Sequence, residues 1–139
     1  MIKLRIGIDP GKQTGFAVYS VAQKRLTTCC TTGIVEAMDS VRGLLNTNSA
    51  EIEVWFEDAR QRKWIPKNKG REVLQGVGSV KRDCTIWQEF CEFHHIAFRM
   101  IPPGQLTTKL KDGPFRQVTG WDGRTSNHAR DAAMIVFGS

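Results

Sequence analysis

Three acidic residues stand where runs of aliphatic or small side chains give out, and they are the first candidates for chemistry. Asp9 ends the stretch holding Ile6 and Ile8 and precedes the tight turn Pro10-Gly11. Glu57 closes the apolar run that starts at Ile52. Asp131 follows His128 by three residues, ahead of the apolar stretch Ala132–Phe137. An acid at the margin of a core has to be paired or has to hold a cation. If the first two segments are parallel neighbours, Asp9 and Glu57 emerge at one end of a sheet, where ligand groups gather in open α/β folds. Residues three apart on a helix share a face, so His128 and Asp131 can join them. Clustered carboxylates repel and raise one another's pKa, and a hard divalent cation reverses that cost. Two such ions about 3.5–4 Å apart activate a water and stabilise the leaving oxygen of a phosphodiester. The expected set is therefore Asp9, Glu57, His128 and Asp131 around Mg²⁺, with His128 ligating metal or deprotonating the water. Asp58 competes with Glu57, but neighbours on a strand point to opposite faces, and Asp58 reads as a turn residue.

These groups need a scaffold. Strands are expected at Lys3–Asp9, Phe16–Val21 and Leu26–Thr32, with Gly11 and Gly15 punctuating the first turn. A helix follows over about 36–46, then the strand Ile52–Glu57 and a polar loop over 58–70. Residues 71–95 suit a long helix with Val73, Val77, Val80, Cys84, Trp87 and Cys91 on one face. The last strand is Ile96–Ile101, stopped by Pro102 and Pro103. A short helix is expected near 105–110, a turn-rich stretch over 112–123, and a closing helix over Asn127–Phe137 capped by Thr125, Ser126 or Asn127. The result is an α/β sandwich with a mixed five-stranded sheet.

The chain of 139 residues suits one domain, with 40% hydrophobic and 24% charged residues. That composition excludes wholesale disorder, and no apolar run is long enough to span a bilayer. Without a signal-peptide core, a cytoplasmic location is expected. Cys29 and Cys30 are adjacent, whereas Cys84 and Cys91 stand seven apart, which suits neither a disulfide framework nor a closed zinc site. The charge is lopsided: residues 1–59 carry six basic and seven acidic side chains, residues 60–139 fourteen and seven. That excess points to a polyanionic partner, nucleic acid before membrane. Arg60, Arg62, Lys63, Lys67, Lys69 and Arg71 crowd the segment leaving Glu57, with Trp64 among them to stack on an unpaired base. Lys109 and Lys111 are further phosphate contacts.

The segments IGIDPGKQTGFAV (Ile6–Val18), VWFEDAR (Val54–Arg60) and NHARDAAMIV (Asn127–Val136) resemble, in order, the active-site segments of RuvC-type Holliday-junction resolvases of the ribonuclease H-like superfamily. The helix around Val77-Gly78 and the stretch Arg99–Lys111 fit the same layout. The resemblance implies a ribonuclease H-like fold with three antiparallel strands followed by two parallel ones. It implies a Mg²⁺-dependent homodimeric endonuclease, with two ions per site and Mn²⁺ as a substitute, that nicks four-way DNA junctions in a bacterial or phage-infected cell. Asp9, Glu57 and Asp131 match the family's carboxylate positions, and His128 matches a fourth position that is acidic in some members and histidine in others. No organic cofactor is implied. Val73, Leu74, Val77 and Val80 offer the apolar surface for a second copy. The competing readings are a nuclease of this fold acting on RNA or other branched DNA, a non-catalytic nucleic-acid-binding module, and an actin-like nucleotide-binding lobe suggested by Asp9 and its glycines.

Overall fold

The computed structural model describes residues 1–48, 51–61, 70–103 and 109–139, apart from the side chains of residues 72 and 73. The elements run β1 (Leu4–Asp9), β2 (Gln13–Ser20), β3 (Arg25–Gly33), α1 (Ile34–Asn48), β4 (Ile52–Glu57), α2 (Arg71–Phe93), β5 (Ala97–Ile101), α3 (Asp112–Thr119) and α4 (Asn127–Val136). The sheet order is β3-β2-β1-β4-β5. β1, β2 and β3 form an antiparallel meander, and β4 and β5 add in parallel to β1. The expected mixed sheet is present.

Strand alternation sorts the side chains between two cores. Ile6, Ile8, Phe16, Val18, Ile52, Val54 and Phe56 face α1 and α2, meeting Ala37, Val41, Cys84, Trp87 and Cys91. On the opposite face Ala17, Tyr19, Cys29 and Ile101 meet Phe115 and the small face of α4, Ala129, Ala132 and Ala133. Period-2 alternation puts Gly7, Asp9 and Gly15 on this second face, the one α4 covers.

Three expectations change. Gly15 belongs to β2, where it pairs with Asp9, so the connecting turn is shorter than the glycines suggested. Residues 112–119 form helix α3 rather than turns. Its Gly-Pro pair lies in the first turn, where a missing N–H costs nothing, and the fully buried Phe115 anchors it to the sheet. The helix expected near 105–110 falls mainly outside the described residues, and Lys109 and Leu110 are not helical. The long helix is present, but among the described side chains of its expected face only Cys84, Trp87 and Cys91 are buried fully. In its N-terminal half Leu74 is 47% exposed.

Candidate active site

Asp9 and Glu57 are placed by the parallel register of β1 and β4. Ile8 pairs with Phe56, so the two acids occupy the next position on each strand, on strands roughly 4.8 Å apart. Both alternate with residues of the α1/α2 core and so project to the α4 side. The backbone of Glu57 is held from below, where the buried Cys84 thiol donates to its carbonyl oxygen at 3.5 Å.

Helix α4 brings the other two groups. Its N-cap is Ser126, whose hydroxyl accepts from the Ala129 N–H and also bonds Thr31 of β3. The cap thereby ties the start of the helix to the far edge of the meander. The Cys29 thiol adds a bond to the Ala129 carbonyl. From this start His128 reaches across β2, and its Nδ1 lies 2.9 Å from Oδ2 of Asp9. Asp131, one turn on, is close enough for its charge to act on Asp9, and Lys109 places Nζ 4.0 Å from the Asp131 carboxylate.

The close approach of α4 depends on two residues without side chains. A Cβ on Gly7 would lie 2.1 Å from the Ala132 carbonyl oxygen, and one on Gly15 would lie 2.0 Å from that of His128. The helix backbone therefore rests directly on β1 and β2. Sequence reading missed this role, because an isolated glycine inside a strand pattern signals either a bulge or a close backbone approach. The alanines on the facing side of α4 were the available signal.

Electrostatics agree with the crowding. Burial pushes the Asp9 carboxyl above its ordinary range and Asp131 adds to that push, opposed by the His128 hydrogen bond and by Lys109. A half-buried carboxylate beside a second one is a donor set that gains from a hard cation. Among the described residues no group of three or more His, Cys, Asp or Glu side chains is drawn together as a metal cage. Mg²⁺ does not require one, since it usually takes one or two carboxylates and keeps several waters. Asp9 with Asp131 beside it is an oxygen-donor pair of the kind such an ion takes.

The basic residues divide. Arg60 was expected to contact phosphate, but its guanidinium faces inward. It donates to both carboxylate oxygens of Asp58, to Thr85, to Gln88 and to the Met100 sulfur. Asp58 itself is buried, with its side chain 4% exposed, and also accepts from Gln61 and the Arg60 N–H. The pair closes a 3-10 turn at Ala59–Gln61 and pins the exit of β4 to α2 and β5. Burial raises the Asp58 pKa, but the bonds from Arg60 and Gln61 outweigh it and hold the carboxyl below its usual range. Arg71, Lys109 and Lys111 are exposed, whereas Arg62, Lys63, Trp64, Lys67 and Lys69 lie outside the described residues.

One stability prediction follows from the Asp58 pair. Asp58→Asn is expected to lower unfolding free energy by about 2 kcal/mol at neutral pH, read from urea denaturation, because it removes the charge from the buried partner of a half-buried guanidinium. The folded-state pKa is depressed, so the difference is fully present above the unfolded value near ~4 and disappears as pH falls through the folded one. A gap independent of pH would contradict the ionic role.

No protein-family model matches the chain, and no curated protein sequence does either. Among solved structures, the chain is similar to T. thermophilus RuvC in complex with a Holliday junction substrate. The TM-score is 0.62 at 17% sequence identity, covering 96% of this chain and 90% of that one. The fold is therefore RuvC-like, within the ribonuclease H-like class.

Proposed function

We propose that this protein is a divalent-metal-dependent endonuclease that cuts branched DNA, with the four-way junction as its main substrate. The observation that carries the reading is the Asp9–His128 contact with Asp131 alongside, since it joins residues 119 positions apart at the strand end that also bears Glu57. The RuvC-like fold supports the class of reaction, and the substrate seen with that neighbour supports the choice of DNA. Asp9, Glu57 and Asp131 would hold Mg²⁺, or Mn²⁺ in its place, with His128 beside them as the base. When bound, the metal would supply an activated water and charge stabilisation for phosphodiester hydrolysis.

The chain's own residues have separate tasks. With Nδ1 engaged by Asp9, His128 has Nε2 left to accept a proton from the attacking water, and Asp9 fixes the imidazole's orientation. Lys109 offsets the negative charge of Asp131 and stands where a phosphate would approach. Arg71 and Lys111, with Arg62, Lys63, Lys67 and Lys69, would track the DNA backbone. We further propose a homodimer, because symmetric incision of a junction requires two sites. The N-terminal half of α2, with Leu74 uncovered and Val77 and Val80 only half-buried, offers the surface. Among the described residues no helix is long and apolar enough to cross a membrane.

Purified protein is expected to cut a synthetic four-way junction with Mg²⁺ or Mn²⁺, and chelation should remove cutting by at least ~10³-fold while junction binding persists. Linear duplex, three-way DNA and RNA junctions run in parallel define the substrate. Cleavage that survives exhaustive chelation would overturn the metal-dependent reading, and preference for the RNA junction would overturn the assignment to DNA.

A further inference from the structure

The sheet face bearing Asp9 and Glu57 is roofed by α4 over β1 and β2, and by Leu110 and Phe115 near Ile101. Lower down β4 and β5 the same face opens to solvent, with Ala97 and Arg99 exposed. Trp55 occupies this opening, two residues before Glu57 and paired in register with Arg99. Guanidinium groups flank its ring from the strand on either side: Arg5 of β1 at 5.1 Å and Arg99 of β5 at 4.7 Å from the ring centroid. Glu53 accepts from both the indole N–H and Arg5 Nε, which pins the ring and balances one cation. Arg5 also donates to the Ser139 hydroxyl. Arg99 has no carboxylate partner among the described residues.

We propose that Arg5, Trp55 and Arg99 form a second contact for the phosphodiester backbone of a nucleic acid, separate from the acidic site. The inference rests on the nuclease reading and names where a further stretch of the substrate runs. Arg5, tied to Glu53 and Ser139, holds the ring from one side, whereas Arg99 lies over it and keeps its N–H fork for phosphate oxygens. The stack is held by neighbouring strands of a rigid sheet. Little side-chain freedom is therefore lost on binding. At roughly 3.3 Å per residue, Trp55 lies about 7 Å and Arg5 about 13 Å down the strands from the acids. Those spacings are the reach of a few nucleotides from the scissile phosphate. Arg99, with no carboxylate partner among the described residues, gives the patch the sign a polyanion needs.

The test is binding of a four-way junction by metal-free protein across a salt series. Arg99→Gln is expected to weaken binding about 5-fold near 0.1 M salt and to reduce the slope of log K against log salt by about one. Arg99→Glu should weaken it further, and Arg99→Lys should restore most of the slope. Arg99 is exposed, so each variant should fold, and far-ultraviolet circular dichroism is the check. If wild type cuts junctions while all three variants keep its slope and affinity, this inference alone is overturned. Variants that keep the slope but lose self-association would assign the patch to a second copy and overturn it equally. Wild type that neither binds nor cuts junctions removes the nuclease reading and this contact with it.

Discussion

Asp9→Asn is expected to lower the rate of junction cleavage by at least ~10³-fold while changing the dissociation constant less than about 3-fold. The carboxylate is asked to hold a cation that contributes several kcal/mol of charge stabilisation, and each 1.4 kcal/mol is about tenfold in rate. Asparagine keeps the size and can still bond His128 Nδ1, so the geometry of α4 over β1 survives. It lacks the charge. Asp9 is also unfavourable for the fold, being half-buried beside Asp131, so the metal-free variant should unfold at a temperature no lower than wild type. Mg²⁺ should raise the unfolding temperature of wild type and leave that of the variant nearly unmoved. The measurements are single-turnover cleavage, junction binding in chelator and thermal denaturation with and without metal. Activity within tenfold of wild type would remove Asp9 from the site.

Gly15→Ala is the second large effect, and its cause is steric. The new methyl would lie 2.0 Å from the His128 carbonyl oxygen, 2.6 Å from its carbonyl carbon and 2.9 Å from the Asp9 Cβ. Two of those atoms are helix backbone, which cannot yield without moving α4 as a body. The helix must rise or β2 must bend, and the Ala129, Ala132 and Ala133 contacts with the sheet loosen together. Overpacking usually costs 1–3 kcal/mol, and backbone against backbone belongs at the upper end, so a loss of about 3 kcal/mol is expected. Protein that still folds should cut at least ~10²-fold more slowly, since a displacement near 1 Å separates His128 from Asp9. Gly7→Ala should behave alike through Ala132. Gly43→Ala is the control: it lies inside α1 with nothing within 4 Å of the added carbon, and alanine there should stabilise by about 0.5–1 kcal/mol. Equal stability of Gly15→Ala and wild type in urea would contradict the close packing described above.

Much of the scaffold is legible in one dimension because its causes are local. Ile6 and Ile8, then Ile52, Val54 and Phe56, alternate strictly, and alternation is the geometry of a strand with one face on a core. The acids that end those runs stand out for the same reason. Helix α3 was hidden because Gly113-Pro114 signals a turn by composition, while its real support is the distant contact of Phe115 with the sheet. The extent of α2 was readable, but not where its apolar face stops being covered, since that depends on how far the sheet extends beneath it.

Residue types and spacing by themselves determined the order of the five strands and of α1, α2 and α4, the candidate acids and the part of the chain that carries excess positive charge. Tertiary structure alone decided which neighbour each of those groups keeps. It turned Arg60 inward to Asp58, Thr85 and Gln88, although nothing distinguishes that arginine from others in a basic run. It gave Gly7 and Gly15 their purpose, which is the backbone of a helix more than a hundred residues away. The division has a physical origin. Periodicity and turn chemistry act between residues a few positions apart, whereas charge pairing and close packing act through space and exist only once the sheet has brought distant segments together.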